Sequence, residues 1–525
     1  MTPPYGRDTG IPLAWGPSRA YADVALETKA ETTMQRRDLL KSAMAAAAVS
    51  ALTLKQAWAE DVPAISLDGD SITLDKADIR DFADSLGGIV LQSDSAGYDI
   101  ARQVWNRFWN RRPALIVRCI SVDDVVAAVN FARSHSLLTA VRCGGHSMSG
   151  KGVCDGGLVI DLSYMNQVDI DVDKKIAYVQ GGAQLGDMDR KALPLGLATT
   201  AGVVSHTGVG GLTLGGGMGR LQRRFGLAID NVLGVEIVTA DGKVLTANDK
   251  ENPDLYWGVR GGGGNFGVVT KFIFRLHNMN PMVINFGIRF PMAVAKDALK
   301  LYFDFTTGAD EDLFILGGVS MREDGTGGVS IGGNYFGPPS DVDRVLKPLR
   351  DFGKTTSDRV IPIEYVKLQQ VADDGLNAPG KRRYAKGGFL REISDDLITT
   401  MVERMEPLAS RSFSVGLLPM DGAPSRVGAS DTVWAHRDAS FNIDSTSTWA
   451  MDNTDVDEEN ISWNRAYWKD VEPFTRGFYV NQLIDENQGQ VNSNYGANHA
   501  RLVKVKNTYD PTNFFRLNAN VRPTV

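Results

Sequence analysis

Glycine is concentrated in one stretch of this chain, between Cys143 and Gly267. It occurs there in clusters separated by apolar, strand-like runs such as Leu158–Leu162, so the stretch is not of low complexity. Glycine allows the backbone to turn tightly or to approach a ligand closely, and successive amides without side chains can direct several N–H groups at one anion. The pattern therefore predicts loops that hold a phosphate-bearing cofactor. The clusters are Gly144-Gly145, Gly156-Gly157, Gly181-Gly182, Gly208 to Gly219 and Gly261 to Gly264.

The segment ahead of the first glycine cluster predicts a strand-helix-strand unit. Ala114–Cys119 is a short apolar run that suits a buried strand. Ser121, followed by Asp124 at the third helical position, predicts the start of an amphipathic helix. Thr139–Arg142 is the second strand. The loop that holds His146 follows this strand directly.

Beyond His277 the pattern changes to apolar and polar residues in alternation. Val283–Ile288 and Leu313–Gly318 show this period of two, which predicts antiparallel strands with one exposed face. Helical stretches around 342–352 and 395–408 are expected to cover the other face. The sequence therefore predicts an α+β fold.

We predict two domains after an N-terminal extension at 1–59. Residues 77–277 form the cofactor domain, and residues 278–475 form a substrate domain built on the antiparallel sheet. The segment 476–525 returns to the cofactor domain.

The extension resembles an export signal. Arg36-Arg37 precede the Ala-rich apolar run Ser42–Leu54, and Ala57-Trp58-Ala59 supplies a small-x-small site before Glu60. This layout predicts a twin-arginine signal and a periplasmic or secreted protein, with a chance Arg pair on an amphipathic helix as the alternative. The apolar run is shorter than the roughly 20 residues that span a bilayer, so stable membrane insertion is not expected. Met34 is the hypothesised true start.

The net charge bears on nucleic-acid binding, and the cysteine content bears on disulfide formation. The formal net charge is −7 and the pI is about 5.5. A chain without a basic stripe is not expected to bind nucleic acid. The three cysteines do not suit a disulfide scaffold; buried thiols are expected, with one pair as the alternative. No metal site is predicted.

Four motifs occur in order between Tyr98 and the C-terminus. In them the chain resembles the berberine-bridge-enzyme-like branch of the vanillyl-alcohol-oxidase superfamily, whose FAD-binding domain is of the PCMH type. The resemblance implies a two-subdomain FAD-binding domain, a substrate domain and an FAD-dependent oxidoreductase activity. The motifs are Arg142-Cys143-Gly144-Gly145-His146-Ser147, Thr207 to Gly217, Gly261 to Thr270, and the ending that contains Asn494-Tyr495-Gly496 and Tyr509-Asp510-Pro511.

The same resemblance assigns the cofactor site. His146 is the residue joined covalently to the flavin 8α carbon. The second covalent link of the family uses a Cys where this chain has Val204, so a single link is implied. Val268 is expected to contact the adenine end through its backbone. The other implied cofactor-binding residues are Arg142, Gly144, Gly145, Ser147, Ser205, Thr207, Gly208, Gly210, Gly211, Leu212, Asn481 and Asn520.

The resemblance leaves the chemistry partly open. The small Thr207 occupies a position that controls oxygen access to the flavin, which favours an oxidase. Gln482 stands where relatives often carry a catalytic Tyr, and an amide cannot accept a proton at neutral pH. Tyr479 and His436 are the candidate substitutes. A dehydrogenase that uses another electron acceptor, and a flavin-binding protein without turnover, are the alternatives for this small-molecule site.

Overall fold

The computed structural model describes residues 60–371, Asp373, 380–482 and 484–525. The predicted twin-arginine signal lies outside the described residues. The strands of the described chain are β1 (Val62–Ile65), β2 (Ser71–Leu74), β3 (Ile89–Leu91), β4 (Leu115–Arg118), β5 (Thr139–Arg142), β6 (Leu158–Asp161), β7 (Val168–Asp171), β8 (Ile176–Gln180), β9 (Leu197–Ala198), β10 (Val232–Thr239), β11 (Val244–Asn248), β12 (Gly267–Arg275), β13 (His277–Asn278), β14 (Met282–Pro291), β15 (Leu313–Met321), β16 (Gly327–Tyr335), β17 (Ser357–Glu364), β18 (Lys381–Leu390), β19 (Ser412–Pro419), β20 (Phe441–Ala450) and β21 (Thr475–Arg476).

The α-helices lie between these strands and near the C-terminus. They are α1 (Lys76–Asp84), α2 (Tyr98–Ala101), α3 (Val122–Ser134), α4 (Leu185–Ala192), α5 (Val209–Leu214), α6 (Gln222–Phe225), α7 (Pro253–Val259), α8 (Ala295–Thr306), α9 (Val342–Asp351), α10 (Tyr365–Gln369), α11 (Asp395–Glu403), α12 (Asp457–Val471), α13 (Gln488–Asn494) and α14 (His499–Tyr509).

Two sheets form the first part of the molecule. One has the order β3-β4-β6-β5, in which β4 and β5 each pair in parallel with β6, and the other is antiparallel with the order β11-β10-β12-β8-β7. The predicted strand-helix-strand unit is confirmed as β4, α3 and β5. Ser121 caps α3, because its hydroxyl accepts the backbone N–H of Asp124.

Residues before the predicted boundary at 77 also pack with this domain. Strands β1 and β2 form an antiparallel hairpin, and Ala64 and Leu74 are buried in the same core as Leu115 and Val125. The weak alternation of such short strands gives little signal in the sequence, whereas their burial is decided by distant residues.

The second part is an eight-stranded antiparallel sheet with the order β17-β14-β16-β15-β19-β20-β18-β21. Helices α8, α11 and α12 pack on one face, where Tyr302, Leu397 and Tyr467 are fully buried. The opposite face is partly exposed and carries glycines and polar side chains together with Leu316 and Leu418. The predicted α+β architecture, with helices on one side of an antiparallel sheet, is confirmed.

None of the three cysteines forms a disulfide in the described part of the chain. Cys119, Cys143 and Cys154 are free thiols, and Cys119 and Cys154 are buried. Within the ranges that the structure describes, we find no helix with the length and apolarity needed to cross a membrane.

Candidate active site

Two glycine-rich loops touch each other through their backbones. The first follows β5, and the second leads into α5. A Cβ on Gly144 would lie 2.5 Å from the Gly208 nitrogen, and a Cβ on Gly208 would lie 2.4 Å from the Gly144 nitrogen. Only residues without side chains allow this approach. The contact fixes the position of His146, two residues after Gly144.

The imidazole of His146 is enclosed by other rings. It stacks on Trp105 with a centroid distance of 4.5 Å, and the ring of His206 lies 4.9 Å away. The guanidinium of Arg383 lies 4.0 Å from the Trp105 centroid. Burial lowers the pKa of His146 to about 3, and the neighbouring His206 and Arg383 act in the same direction. His146 is therefore neutral at physiological pH and can act as a nucleophile.

The third glycine loop faces open space beside α5. The backbone N–H groups of Gly261 and Gly263 donate to the carbonyl of Leu214, at the C-terminus of α5. A Cβ built on Gly211 or on Gly264 would meet no described atom within 4 Å. The backbone at Gly211 and Gly264 is therefore open to a ligand, and we call the space beside the three loops the cleft.

Several buried polar atoms beside these loops have no hydrogen-bond partner in the described part of the chain. A buried polar atom without a partner typically costs about 1–3 kcal/mol, so a cluster of them indicates a missing ligand. Unpartnered atoms also occur elsewhere in the described chain, but those on the first loop and on the C-terminal segments fit the polar groups of FAD. The atoms are Arg142 Nε, His146 Nε2, Gln482 Oε1, Asn518 Oδ1 and Asn520 Oδ1.

Residues of the first loop also form hydrogen bonds with other parts of the protein. The Arg142 guanidinium lies 3.3 Å from both carboxylate oxygens of the buried Asp161. A Cβ on Gly145, which has φ +63°, would meet this guanidinium at 3.1 Å. The hydroxyl of Ser147 accepts the backbone N–H of Lys151. These contacts shape the loop and leave its cofactor role a prediction.

The second loop is anchored on both sides. The hydroxyl of Ser205 donates to Asp373, and the Thr207 carbonyl accepts the backbone N–H of Leu185. A Cβ on Gly210 would lie 2.9 Å from the carbonyl of Gly181. These contacts fix the loop from Ser205 to Gly210, and the cofactor role of Ser205, Thr207, Gly208 and Gly210 stays a prediction.

Asn481, Asn520 and Val268 are the remaining predicted residues, and they lie in three different places. The side-chain amide of Asn481 donates to the Leu212 carbonyl of α5, which places it beside the cleft. Asn520 precedes Val521, whose N–H donates to Asn265 at the third loop. Val268 is buried in β12, where its side chain belongs to the domain core.

Tyr479 is held by the glycine run. Its phenol oxygen accepts hydrogen bonds from the backbone of Gly217, from the backbone of Met218 and from Asn481, the last at 2.8 Å. Burial raises the pKa of Tyr479, so the phenol is protonated at neutral pH. The geometry favours a role in holding the loop, and the catalytic assignment stays a prediction.

His436 lies in a similar structural setting. Its Nε2 is 3.0 Å from Asn494 Oδ1, and its ring stacks on Phe389 at 4.4 Å. Burial lowers the pKa of His436, so the imidazole is neutral. Its catalytic assignment likewise stays a prediction.

The sequence analysis did not identify Asp444, which lies on the partly exposed face of the sheet. Its strand neighbours in register are Gly387 and Gly416, and a Cβ on Gly416 would lie 2.9 Å from Asp444 Oδ1. A Cβ on Gly387 would lie 3.3 Å from Gln482 Oε1 and 3.4 Å from the Asp444 Cβ. The side chains of Asp444 and Gln482 therefore both lie close to Gly387, which has no side chain of its own. Burial raises the pKa of Asp444 to about 6, while a hydrogen bond from Thr446 acts against this.

Hydroxyl groups lie next to Asp444 on the same face. Ser320 pairs in register with Ser414, and Ser414 pairs with Thr446. This face is shallow because Gly387 and Gly416 flank Asp444. It is polar because Ser320, Ser414 and Thr446 form the neighbouring row across the strands. A small ligand with hydroxyl or amino groups fits such a surface.

Gly144→Ala should strongly reduce the flavin content of the purified protein. The new methyl group would meet the Gly208 backbone at 2.5–2.7 Å, and backbone cannot move aside as a flexible side chain can. The ratio of visible flavin absorbance to protein absorbance measures the effect. Gly152→Ala is the control, because its Cβ would meet only Val141 O, at 3.7 Å. Unchanged flavin content in Gly144→Ala would refute the role of this contact.

The chain is similar to known proteins over most of its length. The model of an FAD binding domain matches residues 113–248, and a "berberine and berberine like" model matches residues 479–522. An FAD-linked oxidoreductase of Dictyostelium discoideum is 31% identical over 452 residues, which cover 85% of this chain and 97% of that protein. The (R)-6-hydroxynicotine oxidase of Paenarthrobacter nicotinovorans is 31% identical over 455 residues, 84% of this chain and 97% of that protein. The solved structure of 6-hydroxy-D-nicotine oxidase from Arthrobacter nicotinovorans has a TM-score of 0.76 at 29% identity, and covers 83% of this chain and 98% of that one.

Proposed function

The chain belongs to the FAD-linked oxidoreductases with a berberine-like C-terminal region, and on that premise we propose that it oxidises a small alcohol, sugar or amine and passes the electrons to oxygen. The observation that carries the proposal is the half-buried carboxyl of Asp444, which lies beside Gly416 on a polar face of the sheet, with Gln482 close by at Gly387. Asn481, the residue before Gln482, contacts α5 of the glycine run. This adjacency joins the polar surface to the cofactor cleft.

The chain holds FAD with the three glycine loops and with the unpartnered polar atoms beside them. Bound FAD supplies a two-electron acceptor that takes a hydride from a substrate carbon. His146 is the attachment residue, because its neutral ring presents an unpartnered nitrogen in the same cleft. Val204 occupies the position of the Cys that forms the second covalent link in relatives. Attachment is therefore single.

Asp444 accepts the proton of the substrate O–H or N–H group. A general base works best when its pKa is near the working pH, and a carboxyl with a pKa of about 6 is far better suited than an ordinary one. Gln482 orients the same substrate group through its free Oε1. The Tyr that relatives often carry at position 482 is then not required.

Oxygen is the proposed electron acceptor because Thr207 is small and lines the cleft. Mixing the substrate-reduced enzyme with air-saturated buffer in a stopped-flow instrument tests this. Rapid return of the flavin absorbance, with formation of hydrogen peroxide, supports an oxidase. Slow return in air together with fast return on addition of a quinone would assign a dehydrogenase.

Acid denaturation should leave the flavin attached to the wild-type polypeptide. His146→Ala should release all of it into the supernatant, because no second attachment residue remains at Val204. Fluorescence of the protein band in a denaturing gel measures attachment directly. Val204→Ala is the control and should keep its flavin. Release from the wild-type protein would contradict the covalent link.

We also propose export by the twin-arginine route, supported by the Arg36-Arg37 pair and the cleavage site before Glu60. Folded export suits a protein that must acquire its cofactor in the cytoplasm. Expression of the full chain, followed by N-terminal sequencing of the periplasmic fraction, tests the proposal. A mature protein that starts at Glu60 supports it, and retention of the uncleaved chain in the cytoplasm contradicts it. Arg36→Lys with Arg37→Lys should abolish export.

A further inference from the structure

A second histidine packs directly against the proposed attachment residue. The ring of His206 lies 4.9 Å from that of His146, with 39° between the two planes. His206 is only 6% exposed, and it lies on the loop whose Gly208 contacts Gly144. The two imidazoles are 60 positions apart in the sequence and are brought together by this contact.

Covalent attachment needs a proton acceptor at this place. When an N–C bond forms between an imidazole and a methyl carbon, a C–H bond must break and its proton must leave. His146 Nε2 is buried and has no partner among the described residues, so bulk water does not reach it. The flavin carbon that becomes bonded to His146 would lie one bond length from the His146 ring. The ring of His206 is a direct neighbour of that ring.

Three other groups lie around the pair, and among them only Asp373 can accept a proton. Arg383 and the ring of Trp105 lie on the His146 side, and neither accepts protons at neutral pH. Asp373 is bound by the hydroxyl of Ser205. Burial lowers the pKa of His206 and the charge of Asp373 opposes this, so the ring is neutral and its unprotonated nitrogen can accept a proton.

We propose that His206 is the base for covalent attachment of the flavin to His146, an inference that rests on the proposed His146 link. The N–C bond forms between His146 and the flavin 8α carbon. One C–H bond of that carbon breaks, and its proton goes to His206. The imidazole N–H proton of His146 and the electron pair pass to the flavin ring. Dioxygen then takes two electrons and two protons as hydrogen peroxide, so the ring returns to its oxidised state.

The test is the time course of attachment in His206→Gln. Gln keeps a polar side chain in the loop but cannot accept a proton. The purified variant should contain flavin that acid releases, and during aerobic incubation with FAD the covalent fraction should grow about 100-fold more slowly than in the wild type. In His206→Ala, added imidazole should accelerate attachment. Gel fluorescence gives the covalent fraction, and total absorbance gives the bound flavin.

His277→Gln is the matched control, because His277 also stacks on an aromatic ring, Phe225, at 4.2 Å. It should be fully flavinylated on purification. Wild-type attachment kinetics in His206→Gln would overturn the proposal while leaving the His146 link intact. Absence of rescue by imidazole in a flavin-loaded His206→Ala would also overturn it. A wild-type protein that itself releases its flavin would instead refute the His146 link.

Discussion

Replacing Asp444 with Asn should slow reduction of the flavin by substrate by about 10²–10⁴-fold, the usual contribution of a general base. Asn has nearly the same shape, so Gly387 and Gly416 can pack around it as they do around the carboxyl group. It cannot accept the substrate proton. Anaerobic stopped-flow measurement of flavin absorbance gives the rate of reduction without interference from the oxygen reaction.

The pH profile separates this role from a structural one. The pKa of Asp444 is about 6, so the rate of reduction should rise with pH up to that value and then level off, because only the ionised carboxylate accepts a proton. Asp444→Asn should lose this inflection. Thr446→Val removes a hydrogen bond that stabilises the carboxylate, so it should move the inflection to higher pH. A wild-type rate and profile in Asp444→Asn would exclude the carboxyl group as the base.

The sequence predicts those parts of the fold that depend on local signals. Ser121 and Asp124 lie three residues apart, and their hydrogen bond starts α3 as expected. The alternation in Leu313–Gly318 likewise predicts the strand that the structure contains as part of β15. Such features follow from residues that are neighbours in the chain.

The glycines of the predicted cofactor loops are required by contacts between the loops. Gly144 and Gly208 are each required by the other's backbone, which explains why two separate clusters occur. The sequence shows that close approaches are needed but not which loops approach each other. The register of long-range contacts has to come from the fold.

Asp444 shows why part of the site is missed. In the strand Phe441–Ala450 buried and partly exposed residues alternate, but the local sequence does not show which face borders the cleft. Gly387 and Gly416 lie in strands far away in the sequence, and only pairing reveals that they flank the carboxyl group. The pKa of Asp444 depends on this burial, so a local pattern cannot predict it.

The C-terminal segment provides the largest expected effect on stability. Lys506 in α14 is fully buried, and its ammonium group donates to Asp510 at 2.6 Å, to the Asn265 carbonyl at 2.8 Å and to the Phe515 carbonyl at 3.0 Å. Asn265 follows the third glycine loop directly. This one side chain therefore holds α14, the turn after it and the cofactor loop together.

Lys506→Met should lower the free energy of unfolding by about 3–5 kcal/mol, because it leaves the buried Asp510 carboxylate without its counter-charge. Urea unfolding followed by fluorescence measures the change. Lys504→Met, the same substitution at an exposed site of the same helix, should change the free energy by no more than about 0.5 kcal/mol. Lys506→Met combined with Asp510→Asn should recover part of the loss, because the unpaired charge is removed while the two carbonyls still lack their donor. Equal stabilities of the two single variants would show that the buried pair does not hold the C-terminal segment in place.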